Sequence, residues 1–134
     1  MRYMLMMHAP RGTGDWGVMQ WSPDELKAHI TFMMNLNKDL MTSGELVGAE
    51  GLAPPANARV VRVGANGTPA VTDGPFAESK EFLAGYWIVD VESEKRAHEI
   101  AARASSAPGP DGKPFVIPIE VRQVMSGPPD EFVA

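Results

Sequence analysis

A chain of 134 residues falls within the size of one domain and is long enough to bury a core of its own. Its 44% hydrophobic and 22% charged residues describe a globular chain and exclude disorder, while a net charge of −5 disfavours nucleic acid or an anionic membrane as the main partner. The apolar opening run stops at His8, too soon for a signal peptide or a membrane span, and the lack of cysteine favours the reducing cytoplasm.

Tyr3, Leu5 and Met7 alternate with Met4, Met6 and His8, so the opening run reads as a central strand covered on both faces. A Gly-rich loop follows. Its Gly12-Thr13-Gly14-Asp15-Trp16-Gly17 string has the spacing of a dinucleotide fingerprint. Asp15 sits where a phosphate would approach, however, and the next helix opens only at Ser22, so we read a loop and expect no cofactor. Ser22-Pro23-Asp24-Glu25 is a capping box with proline at the first helical position. At 100° per residue, Leu26, Ile30, Met33, Met34, Leu36, Leu40 and Met41 form one apolar stripe, and Gly44 suits the left-handed position that ends the helix.

A strand over 45–50 and a Pro54-Pro55 break lead to 59–63, where Gly64-Ala65-Asn66-Gly67 marks a hairpin whose return strand ends near Thr72. A further strand spans 83–91. Ser93 caps a second helix, with Ala97, Ile100, Ala101 and Ala104 facing inward. After a Pro/Gly loop over 107–114, residues 115–125 form the last strand, in which Pro118 points to an edge or a bulge. The reading is one α+β domain over 1–125 with a flexible tail over 126–134. Its order is the ferredoxin-like βαββαβ with an inserted β-hairpin. Both helices must then cover one face of the sheet, and a second copy is the simplest cover for the other.

The stretch Asp73-Gly74-Pro75-Phe76, with Arg2-Tyr3-Met4-Leu5, Gly51-Leu52-Ala53-Pro54-Pro55 and Gly85-Tyr86-Trp87-Ile88-Val89-Asp90, resembles the YCII-related family, in its DGPF branch. The resemblance implies a dimeric α/β barrel, a homodimer with a small-molecule pocket in each subunit. It also implies a setting near alternative sigma factors for several members, and for the wider family a His–Asp pair on the first helix. This chain has His29 on that helix but Thr42-Ser43-Gly44 where the aspartate would be expected, so an acid–base role has to recruit Asp73 or another group.

Asp73 reads as a general base at the barrel mouth or as a turn residue accepting amides around Gly74. His8, at a strand end, reads as a group titrating near neutrality or as a hydrogen-bonded rim histidine. His29 and Asn37 interrupt the apolar stripe, so each must find a partner or line a cavity. Asp73, His8 and His29 are therefore the candidate acid–base residues, expected around one cavity, with Phe76, Asn37 and Trp87 as candidate substrate-binding residues. Nine methionines read mainly as a gap-filling core, and His8, His29 and His98 lack metal-ligand spacing. Two functions follow: acid–base chemistry on an unknown small molecule, or a non-catalytic metabolite-sensing or protein-interaction module linked to transcription regulation.

Overall fold

The first helix begins through two reciprocal hydrogen bonds. In the computed structural model, which describes residues 1–10, 21–76 and 80–125, the Ser22 hydroxyl accepts from the Glu25 amide at 3.2 Å. The Glu25 carboxylate in turn accepts from the Ser22 amide at 2.9 Å. Helix α1 (Pro23–Thr42) thus satisfies two amides that have no partner inside the helix. It ends at Gly44, whose φ of +79° is the left-handed conformation that glycine adopts without a Cβ clash. The Gly-rich string at 12–17 and the tail from 126 lie outside the described residues.

Strand β1 (Arg2–Pro10) has a strand on each side, β5 (Glu81–Asp90) and β6 (Ile119–Gln123), and β2 (Leu46–Gly51) adds to the far edge of β5. All three pairings in the order β2-β5-β1-β6 are antiparallel. Side chains alternate across a strand, so the odd residues of β1 share a face. Tyr3, Leu5 and Met7 join Trp87 and Val89 of β5 in the core, beneath α1 and α2 (Glu94–Ser105). Ser93 caps α2 through the Arg96 amide, and the expected stripe of Ala97, Ile100, Ala101 and Ala104 is buried. The two helices are joined directly by Arg103, which donates to Asp39 at 2.6 Å. The turn after α1 is joined to α2 by Arg96, which donates to both oxygens of Glu45 at 2.8 and 2.9 Å. Those hydrogen bonds hold the Glu45 carboxyl below its usual range against the opposing effect of burial.

Strands β3 (Arg59–Val63) and β4 (Pro69–Asp73) form a separate two-stranded hairpin, with Gly67 at φ +81° in its turn. The whole is an α+β, ferredoxin-like βαββαβ arrangement with an inserted hairpin. Among the described residues, no helix is long and apolar enough to cross a membrane.

Two expectations need correction. The α1 stripe is wider than the face that packs: Leu36 and Leu40 are buried, whereas Ile30, Met34 and Met41 are 47%, 65% and 69% exposed. At 100° per residue, Met34 points well away from the Leu36–Leu40 direction, and a flat sheet beneath one helix cannot reach both. The last strand is also shorter than 115–125, because Val116 takes a φ of +54° and Pro118 has no amide for the ladder. Pairing begins at Ile119, on the sheet edge.

Ser22→Ala should lower stability by about 1 kcal/mol, the usual loss for an N-cap hydroxyl, measured as a shifted urea midpoint. A pH dependence goes with it. The Ser22 amide first, and the Asp111 amide second, hold the Glu25 carboxyl below its ordinary value of 4.5. A folded-state value below the unfolded one contributes stability that is complete above the unfolded value and lost as pH falls through the folded one. The fall in urea midpoint between neutral pH and pH values below about 4 should therefore be smaller in Glu25→Gln than in the native chain.

Candidate functional site

Along α1, His29, Met33 and Asn37 recur every four residues, which places them on one side of the helix one turn apart. Opposite them, beside Met7 and Trp87, the sheet carries a group of small side chains, Ala49 and Gly51 on β2 and Ala84 and Gly85 on β5. Long side chains on the helix above short ones on the sheet leave a slot of about 240 Å³, closed by Met7 and Trp87 and bordered by Glu50 and Tyr86.

A β-bulge shapes the floor. Met7 pairs with Gly85 but His8 pairs with Leu83, so Ala84 is an extra residue in β5, and its carbonyl accepts from the Leu52 amide at 2.9 Å. Gly85 is required at this point, since a Cβ there would lie 2.9 Å from the Glu50 carbonyl oxygen.

Both polar groups of the α1 wall are held by partners, Asn37 by a slot residue and His29 from outside the slot. Trp87 Nε1 donates to Asn37 Oδ1 at 2.7 Å, which fixes the amide with its oxygen toward the indole. His29 Nδ1 lies 2.9 Å from the Pro108 carbonyl oxygen; a carbonyl has no proton to give, so Nδ1 carries the hydrogen. The imidazole is also met edge-on by Trp21 at 5.3 Å, and Trp21 by Phe115 at 5.1 Å. The loop that supplies Pro108 is tied back to the helix start, because the Asp111 amide donates to Glu25 at 2.7 Å. One glutamate thus caps α1 and secures the segment that orients His29.

The remaining sequence candidates fall elsewhere. His8 and Phe76 border a second, larger cavity of about 490 Å³ at the end of the sheet, walled by Leu52, Pro54, Pro55, Pro75 and Phe82. His8 Nε2 lies 2.9 Å from Glu120 Oε1 across β1 and β6. Asp73 lines neither cavity. It ends β4 opposite Arg59, with Oδ1 3.7 Å from the guanidinium and its side chain 96% exposed. The expectation of a single cavity bordered by Asp73, Phe76, His8 and His29 is therefore replaced by two cavities with Asp73 outside both. The reason lies in strand alternation: His8 is an even residue of β1, on the face opposite Leu5 and Met7, whereas α1 lies over the odd face.

His29, Asn37 and Trp87 are brought together with slot residues that the sequence reading missed, Met33, Ala49 and Ala84, and with the Pro108 carbonyl that holds His29 from outside. The signal for the floor was present as small residues within two strands facing an apolar helix. At the end of α1, Thr42 and Ser43 donate their hydroxyls to the carbonyls of Lys38 and Leu40, so these positions serve the helix terminus. Among the described residues, no cluster of histidine and carboxylate side chains is arranged to hold a metal.

With this geometry in place, comparison with known proteins gives the family. Residues 1–109 match the YCII-related domain, and the chain belongs to that family. It is also similar to an uncharacterised protein of Rhizobium meliloti (strain 1021), 31% identical over 99 residues that cover 74% of this chain and 79% of that one.

The Trp87–Asn37 bond is testable through stability. Trp87→Phe removes the donor from the half-buried Asn37 oxygen and should cost about 1 kcal/mol, the net worth of a typical hydrogen bond. Adding Asn37→Leu should restore part of the loss, a coupling read from a double-mutant cycle in urea.

Proposed function

We propose that this YCII-related protein binds a small molecule in the slot beneath α1 and works as a homodimer. The observation that carries the reading is an apolar cavity into which two polar side chains, Asn37 and His29, are held by partners of their own. Ligand sites typically combine mostly apolar walls with a few fixed polar groups, and a slot with pre-set donors loses little entropy on binding. Binding is favoured over acid–base chemistry through Asp73, because proton transfer needs both groups within hydrogen-bond reach of one reacting atom. Asp73 is engaged with Arg59 on the hairpin instead.

The dimer is supported by the sheet face opposite the helices. Met4, Met6, Tyr86 and Ile88 lie there, each half-buried, on strands at the centre of the sheet. A second copy placed against that face would remove these side chains from water, at roughly 25 cal/mol for each Å² of apolar surface covered.

Ala84→Leu fills the slot and is the direct test. Native mass spectrometry of the purified native protein should show a retained small molecule, and Ala84→Leu should lose it while keeping its unfolding midpoint. A ligand retained equally by both proteins would move the site out of the slot. Sedimentation should give about twice the 14.5 kDa chain mass, and Met6→Asp should shift it toward the monomer through burial of an unpaired charge.

A further inference from the structure

We infer that the slot selects an uncharged ligand of small apolar body carrying one carbonyl-type oxygen, received by the Asn37 side-chain amino group. The inference rests on the binding reading given above and concerns which chemistry that site accepts. Asn37 has one acceptor atom and one amino group. Its oxygen is turned toward the Trp87 indole, from which it accepts. Among the described residues the amino group has no protein partner, yet no buried side-chain nitrogen or oxygen is left unsatisfied. The amino group is therefore open to the slot that Asn37 lines, as a donor waiting for an acceptor.

The surrounding walls decide the charge of the ligand. Met7, Met33, Ala49, Ala84 and Trp87 offer apolar surface, where an ionised group would lose hydration, and an anion would in addition meet the Glu50 carboxylate that borders the slot. A carbonyl loses much less and regains a hydrogen bond from Asn37. Methionine sulfur and the Trp87 ring also suit a flat or aromatic body. Size sets a further limit. The 240 Å³ slot is smaller than the roughly 300–1,000 Å³ of drug-sized sites, so the ligand has on the order of ten non-hydrogen atoms.

Three probes of equal size separate the possibilities: acetophenone, cumene and benzoate, titrated into the native protein and followed by the side-chain amide and indole NMR signals. Acetophenone should bind about 3- to 10-fold more tightly than cumene, the worth of one neutral hydrogen bond, and benzoate more weakly than either. Asn37→Asp keeps an oxygen for Trp87 but exchanges the amino group for an acceptor, and it should abolish the preference for acetophenone over cumene. Asn37→Leu, which also removes the donor, gives the same readout should the aspartate variant not fold. Equal binding of acetophenone and cumene, tighter binding of benzoate, or a preference that survives both variants would overturn the selection while leaving the slot a binding site. If none of the three binds, and Ala84→Leu changes nothing, the binding reading itself falls and the selection falls with it.

Discussion

Everything in this molecule hangs on β1 having a strand on each side and helices on one face alone. The ladders to β5 and β6 bury its backbone, so its odd residues face the core wherever the helices lie. Leu5 is fully buried at the centre, opposite Trp87 on one side and Val121 on the other. Small residues at Ala97, Ala101 and Ala104 let α2 settle close over β1 and β6, while α1 is left the β2 side. The Glu45–Arg96 pair ties the turn between α1 and β2 to the start of α2, which fixes where the two helices sit above the sheet. Bidentate pairing of this kind carries geometric specificity as well as energy.

The slot follows from that arrangement as a packing consequence. Over β1 and β6 the alanines of α2 let the helix approach the large side chains of the sheet and the interior closes. Over the β2–β5 edge, Met33 and Asn37 meet alanine and glycine, and the Ala84 bulge breaks the alternation that would have sent another large side chain upward. Space is thus left under the helix at a place where the backbone is rigid on both sides. The polar groups there are pre-set by Trp87 and by the loop carrying Pro108, which Glu25 secures. Rigid elements supporting an oriented pair of side chains are what a binding site needs.

Membership of the YCII-related family accounts for the architecture but does not by itself assign chemistry, because one scaffold of this kind hosts many activities. The particular side chains carry that information. In this chain the C-terminal turn of α1 holds Thr42 and Ser43, both committed to helix carbonyls, and the carboxylate of Asp73 stands on the hairpin beside Arg59. The groups held in place around the slot are the hydrogen-bonding side chains of Asn37 and His29, on a mostly apolar background bordered by Glu50.

Local signals in the sequence determined most of the elements. The capping box at Ser22 and Glu25, the left-handed Gly44, the Ser93 cap and the Asn66-Gly67 turn each act over a few residues, so their chemistry is legible without neighbours. The same holds for the polar interruptions at His29 and Asn37, which called for either a partner or a cavity along α1, and the structure supplies both. Tertiary structure alone decided what completes that cavity. Ala49 and Ala84 come from distant parts of the chain, as does the Pro108 carbonyl that orients His29, and a one-residue bulge resets which side chains face the helix. It also separated His8 from His29, since two residues directed at one sheet share a site only if they address the same face. Periodicity shows that a strand has two faces; the packing of the helices determines which of them becomes the inside.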